Sequence, residues 1–320
     1  MFSSPTFYPS PPLIIIGGPT AIGKTALALT LAEELGGEIV AADSLQVYRY
    51  LDIGTAKPSL EDRQGVPHHL IDVVDPDESF TAKDYEQLAL EIIGDISSRG
   101  RVPIVVGGTG LYIRALLYGI FPGPGEDPAL RSALYREAQE LGSEGLHRRL
   151  QEVDPEAASK IHPHDLFRIV RALEVYLLTG RPISEHQKNY RRPQLQPLVY
   201  MGLKRKREVL YRLIEERVDR MIEKGLLQEV EGLLRMGYTK ALKPMQSLGY
   251  RHLIEHLEGI YSLDQAVALF KRDSRRYAKR QMTWFMKEEG IEWAEVEGSN
   301  WVKALVFTIK KRVEKTPAKG

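Results

Sequence analysis

The stretch that most constrains this chain is Gly18-Pro19-Thr20-Ala21-Ile22-Gly23-Lys24-Thr25, which fits the phosphate-loop pattern G-x-x-x-x-G-K-[ST] and directly follows the apolar run Leu13, Ile14, Ile15, Ile16. Glycines let backbone N–H groups converge on phosphate oxygens. Lys24 supplies a point charge, Thr25 offers a hydroxyl to Mg²⁺, and the helix behind the loop turns its positive end toward the same anion. The same pattern is a signature of ATP binding. The context agrees: a strand precedes the loop, and Ala26, Leu27, Ala28, Leu29, Leu31, Ala32 and Leu35 read as a helix that Gly36-Gly37 ends.

Apolar strands alternate with helical segments through about residue 120, with further strand candidates at 38–42 and 102–106. This is the pattern of an α/β fold, a P-loop NTPase-like parallel sheet core flanked by helices. Phe121-Pro122-Gly123-Pro124-Gly125-Glu126-Asp127-Pro128 then breaks the chain. Residues 129–185 read as wholly helical, in segments 129–141, 144–152, 155–160 and 165–179 separated by Gly or Pro. After a second break at 190–197, a strand is expected at 198–203 and one long amphipathic helix at 207–235, with Leu210, Leu213, Ile214, Val218, Met221 and Ile222 on one face. The expected organisation is a loose tail over 1–12, a phosphate-loop core from 13–122 and 198–320, and an all-helical insertion at 123–197.

Composition narrows the functional classes. With 320 residues, 43% of them hydrophobic, the chain can bury a real core. No apolar run approaches the roughly 20 residues of a membrane span, and the tail lacks the basic flank of a signal peptide. The absence of cysteine excludes disulfides and thiolate zinc sites, and a cytoplasmic location is expected. Charge is unevenly shared: residues 1–125 hold 8 Lys and Arg against 15 Asp and Glu, and the remainder 36 against 28. The densest basic patch is 271–287, where Lys271, Arg272, Arg275, Arg276, Lys279, Arg280 and Lys287 oppose a single Asp273, with Tyr277, Trp284 and Phe285 interleaved. Such spacing lines a helix face with bases, and the aromatics beside them favour a nucleic-acid surface over a merely solvated one.

In parallel sheets the ligand lies outside the carboxyl ends of the strands. The second strand ends in Asp43-Ser44-Leu45-Gln46, and 102–106 ends in Gly107-Gly108-Thr109-Gly110. Asp43 could hold Mg²⁺, act as a general base or cap a helix, and Thr109 could cap or donate to a phosphate. P-loop nucleotidases carry an Asp at a buried strand end, and 102–106 has none, which argues against phosphoryl transfer and for some other diphosphate. His68 and His69 point to opposite sides of an extended backbone, and His162-Pro163-His164-Asp165 lies in a turn, so neither pair is read as a metal site.

Together with the loop, several blocks identify a family. They are Ala42-Asp43-Ser44-x-Gln46-x-Tyr48, Asp52-Ile53-Gly54-Thr55-Ala56-Lys57-Pro58, Val66-Pro67-His68-His69-Leu70-Ile71-Asp72 and Val106-Gly107-Gly108-Thr109-Gly110-Leu111-Tyr112. Later ones are Asp154-Pro155-x-Ala157-Ala158-x-x-Ile161-His162-Pro163, Arg168-x-x-Arg171-Ala172-Leu173-Glu174-Val175, Gly249-Tyr250 and Arg276-Tyr277-Ala278-Lys279-Arg280-Gln281-x-Thr283-Trp284-Phe285. The chain resembles the bacterial tRNA dimethylallyltransferases from about residue 13 to 290. The resemblance implies transfer of a dimethylallyl group from its diphosphate to the exocyclic amine of the adenosine 3′ of the anticodon, in tRNAs reading codons that begin with U. It implies Mg²⁺ held through Thr25, a diphosphate gripped by Gly18 to Thr25, and a monomeric, cytoplasmic enzyme that takes an anticodon stem-loop. Asp43 is implied as general base, with Thr109 and Arg217 as catalytic partners. Asp43, Ser44, Leu45, Gln46, Thr109, Arg131, Phe167, Arg168, Ile169, Val170, Arg171, Gln246, Gly249, Tyr250, Arg275, Arg276, Lys279 and Arg280 are implied as tRNA contacts. Phe167 replaces the Gln or Arg of many members and offers stacking in place of a hydrogen bond. His164 stands where Asn is usual, and the zinc finger of the eukaryotic branch is absent.

Overall fold

A computed structural model describes residues 12–121, 123–189, 195 and 197–315, so the expected tail up to residue 11 and most of the 190–197 break lie outside the described residues. β1 (Ile14–Gly17), the phosphate loop and α1 (Lys24–Leu35) lead to β2 (Glu38–Ala41), β3 (His68–His69), α2 (Ala82–Ser98), β4 (Pro103–Gly107) and α3 (Gly110–Tyr118). Four helices follow: α4 (Pro128–Val153), α5 (Pro155–Lys160), α6 (Leu166–Thr179) and α7 (Ile183–Asn189). β5 (Val199–Lys204), α8 (Arg207–Glu223), α9 (Leu226–Arg235), α10 (Tyr250–Leu257), α11 (Leu263–Phe285), β6 (Glu292–Glu295) and α12 (Trp301–Lys315) complete the chain.

The six strands form one parallel sheet in the order β3-β2-β4-β1-β5-β6. Strand side chains alternate between two covered faces, which is why the strands read as unbroken apolar runs. Ile14, Ile16, Ile39, Ile104 and Met201 pack with α1 and α12, while Leu13, Ile15, Val40, Val105 and Tyr200 pack with α2 and α3. Register sets Gly17 of β1 beside Gly107 of β4 and Gly202 of β5. This makes a low shelf at the carboxyl edge, and the Phe285 ring of α11 lies on Gly17.

The single helix expected at 207–235 is two. The chain turns at Gly225 (φ 95°) between α8 and α9, since only glycine adopts that backbone without strain. α4 joins two expected segments, and Gly142 (φ 73°, ψ 163°) breaks it where the sequence separates them.

The described residues divide into two compact units, one within 1–119 and 193–320 and a helical one within Ile120–Arg192. The helical unit has its own core of Leu134, Leu146, Leu150, Ile169, Val170 and Leu173. Into it α6 places Glu174, a fully buried carboxylate. Arg131 donates to both Glu174 oxygens at 2.9 Å, Arg171 to one at 2.6 Å, and the Asp127 N–H at 2.9 Å, so the charge is fully partnered.

Candidate active site

The phosphate loop starts at the shelf and ends at the first turn of α1. Gly23 caps that helix at φ 107°, and a Cβ there would lie 2.7 Å from the Trp301 indole of α12, so conformation and contact both demand glycine. Lys24 Nζ donates to the Gly18 and Pro19 carbonyls at 2.9 and 2.7 Å. Lost solvation, first, and Arg217, second, push its ammonium down to about 7, with Asp43 pulling the other way. Thr25 stands exposed beside it.

The loop opens on a cavity of about 680 Å³ lined by residues that lie far apart in the chain. Thr20, Lys24 and Thr25 border it from the loop, and Asp43, Ser44, Leu45 and Gln46 from the end of β2. Arg217 enters from α8, Gln246 from the turn at Pro244–Gln246, and Arg276, Tyr277, Arg280 and Gln281 from α11. Ala28, Ile39, Ile214 and Val218 supply an apolar wall.

Asp43 caps, but it caps a turn and not a helix: its Oδ1 accepts the N–H groups of Leu45 (2.9 Å) and Gln46 (3.4 Å). Its other oxygen accepts from no described residue. Thr109 precedes α3 without capping it. Its hydroxyl oxygen instead accepts the Ser44 N–H at 3.0 Å and donates to Ser44 Oγ at 3.3 Å, tying the ends of β2 and β4 together. Gln46 donates to the Thr55 and Ala56 carbonyls. Arg217 has no carboxylate partner among the described residues, and burial lowers its pKa against the pull of Asp43. Burial, with Asp43 next, raises that of the Tyr277 hydroxyl.

The basic helix divides in two. Lys271 pairs with Asp219 at 2.6 Å and Arg275 with Glu215, both on α8, so these bases join helices and are not opposed by Asp273 alone. Arg276, Lys279 and Arg280 remain on the exposed side. Asp273, beside Arg272, Arg251, Arg276 and His252, has its carboxyl held down to about 2, chiefly by Arg272.

Other expected tRNA contacts sit elsewhere. The Tyr250 ring is fully buried, its hydroxyl donating to Glu229 at 2.6 Å, and Gly249 turns the chain into α10. Glu229 also accepts the N–H groups of Asp52, Ile53 and Gly54, an anchor the sequence reading passed over. In the helical unit Ile169 and Val170 are buried, Arg131 and Arg171 hold Glu174, and Phe167 and Arg168 are exposed. Gln281 was within reach: it interrupts a basic, aromatic segment at a position where the helix faces inward.

Comparisons with known proteins agree in kind. A family model described as IPP transferase matches residues 46–288. A tRNA dimethylallyltransferase of Geobacter metallireducens is 55% identical over 287 residues, covering 89% of this chain and 93% of the relative. One of Acetivibrio thermocellus is 50% identical over 283 residues, covering 88% and 90%. Among solved structures, the full-length tRNA isopentenylpyrophosphate transferase of Bacillus halodurans is similar at a TM-score of 0.70 and 40% identity, over 95% of this chain and 97% of that one. A eukaryotic dimethylallyltransferase acting on tRNA is similar at 0.79 and 28%, over 96% and 81%.

Proposed function

The chain belongs to the IPP transferase family and transfers a dimethylallyl group to tRNA; from that premise we propose that dimethylallyl diphosphate is the donor and that the phosphate loop holds its diphosphate. The acceptor in this reading is the exocyclic amine of the adenosine 3′ of the anticodon, in tRNAs reading codons that begin with U. One observation carries it: a single cavity brings the cations Lys24 and Arg217 together with the carboxylate Asp43 beside an apolar wall of Ala28, Ile39, Ile214 and Val218.

The amine nitrogen attacks C1 of the donor, the C1–O bond breaks, and diphosphate leaves with the electron pair. The amine's proton passes to the free oxygen of Asp43, because an adenine amine is too weakly basic to attack well without losing it. Lys24, Arg217 and the loop N–H groups stabilise charge growing on the leaving group. Thr109 holds the Ser44 turn that aims Asp43. A magnesium ion fits the loop end: Thr25 offers a hard oxygen, and no set of three carboxylate or imidazole ligands gathers among the described residues, so diphosphate and water would complete its shell. When bound, it neutralises charge on the diphosphate.

Ser44, Leu45, Gln46, Gln246, Arg276 and Arg280 border the same cavity and would meet the RNA. We take the enzyme to act as a monomer, and no helix among the described residues is long and apolar enough to cross a membrane. We place the enzyme in the cytoplasm, with its substrate. β4 ends without a carboxylate, so ATP competes for the loop but is not turned over.

The test is mass spectrometry of tRNA nucleosides after incubation with dimethylallyl diphosphate and Mg²⁺. A prenyl mass gain on the adenosine 3′ of the anticodon, lost with Lys24→Ala, is expected; modification at another base, or ADP formed as fast as prenyl transfer, would overturn the reading.

A further inference from the structure

Gln281 stands in the buried stripe of α11 formed by Ser274, Ala278, Gln281 and Phe285, where its neighbours are small or aromatic. Only 7% of it is exposed. Both ends of its amide are engaged: Oε1 accepts the Thr20 backbone N–H at 2.9 Å, and Nε2 donates to the Gly108 carbonyl at 2.9 Å. One planar group therefore bridges the phosphate loop after β1 and the turn after β4. The fit is close, since a Cβ on Gly108 would lie 2.4 Å from Nε2. One turn further along α11, Phe285 lies against Gly17 and Trp284 against Gly110.

A phosphate loop binds through N–H groups whose directions are set beforehand, and backbone that must be ordered on binding weakens it. We propose that Gln281 is a positioning residue for the donor. Resting on the reading that the loop takes diphosphate, it pins the Thr20 turn in receptive shape and commits that N–H to α11, leaving Lys24 and the remaining N–H groups to the phosphates. The task needs an acceptor and a donor at one end of a side chain of this reach. Asparagine is one methylene short, ionised glutamate turns an oxygen onto the Gly108 carbonyl, and methionine has the length with neither group.

The test measures inorganic diphosphate binding by calorimetry, donor KM and kcat, tRNA affinity and melting. Gln281→Met should raise the Kd for diphosphate and the donor KM about tenfold, as the Thr20 turn loses its hydrogen-bonded tie to α11. The kcat at saturating donor and tRNA affinity should stay near those of the parent. Gln281→Glu should share the defect in alkaline buffer and regain affinity relative to the parent as pH falls and the carboxyl gains a donating proton. Gly108→Ala, which crowds Nε2 while leaving the sequence of α11 unchanged, should reproduce the defect and add little to Gln281→Ala, and it carries the test if the methionine variant fails to fold. Parental diphosphate affinity in both Gln281→Met and Gly108→Ala, or lowered melting and tRNA affinity with an unmoved donor KM, overturns the inference. Diphosphate binding that Lys24→Ala leaves intact overturns instead the reading of the loop.

Discussion

Leu45 and Gln46 both donate to one oxygen of Asp43, so the carboxylate is held by a turn while its second oxygen stays available. Asn in its place keeps the accepting oxygen and loses the basicity. Asp43→Asn should therefore melt near the parent and bind both substrates, yet transfer about 100-fold to 10,000-fold more slowly in single turnover. Near-parental transfer would reduce Asp43 to a turn residue. Lys24 sets a pH dependence of definite sign. Its free-state pKa is lowered from 10.5 to about 7, and a bound anion favours the ammonium, so above about 7 diphosphate binding must take up a proton. Affinity should fall as pH rises from 7 toward 10.5, by up to about tenfold per unit. Comparison with Lys24→Met isolates this slope from the titration of diphosphate itself; parallel profiles would refute it. Polar character at the carboxyl end of a strand made Asp43 and Thr109 candidates. That Thr109 serves Ser44, 65 positions away, was not legible, because a hydroxyl's partner depends on how β2 and β4 are paired.

At the scale of elements, α6 sorts the expected RNA strip by helical geometry: Phe167 and Arg168 lie outside, Ile169 and Val170 inside. Arg131, on α4, is tied to α6 through Glu174. Removing one partner of a buried, hydrogen-bonded pair costs about 3–5 kcal/mol. Arg131→Ala should thus lower the melting temperature and speed proteolysis within residues 120–192, besides any loss of activity. Parental stability with reduced tRNA affinity would restore Arg131 to a purely RNA-binding role. The central strands β1, β2, β4 and β5 were readable as apolar runs because both faces are buried. β3 is two residues long, and β6 is a half-exposed edge strand reading Glu-Trp-Ala-Glu, so neither carries a periodic signal. The break at Gly225 was hidden for a related reason: the apolar spacing of α8 resumes in α9 with little change of phase.

For the whole molecule, the excess of bases after residue 125 persists, but ion pairing decides which of them meet a polyanion. Lys271 and Arg275 are occupied by α8, and Arg276 and Arg280 border the cavity. If the latter two contact phosphates, Arg276→Ala with Arg280→Ala should flatten the slope of log tRNA affinity against log salt by about 0.7 to 0.9 per contact. Lys271→Ala with Arg275→Ala should leave the slope nearly unchanged and lower the melting temperature. The reverse pattern would relocate the RNA surface to the α8 side. A different consequence lies in Trp301, which opens α12 and sits against Gly23, joining the last helix to the first loop. An indole in that seat is an intrinsic optical reporter. Titrating diphosphate should shift the protein's fluorescence, and Trp301→Phe should abolish the shift although Trp284 and Trp293 still emit, so occupancy of the loop can be followed in real time without labelling donor or RNA.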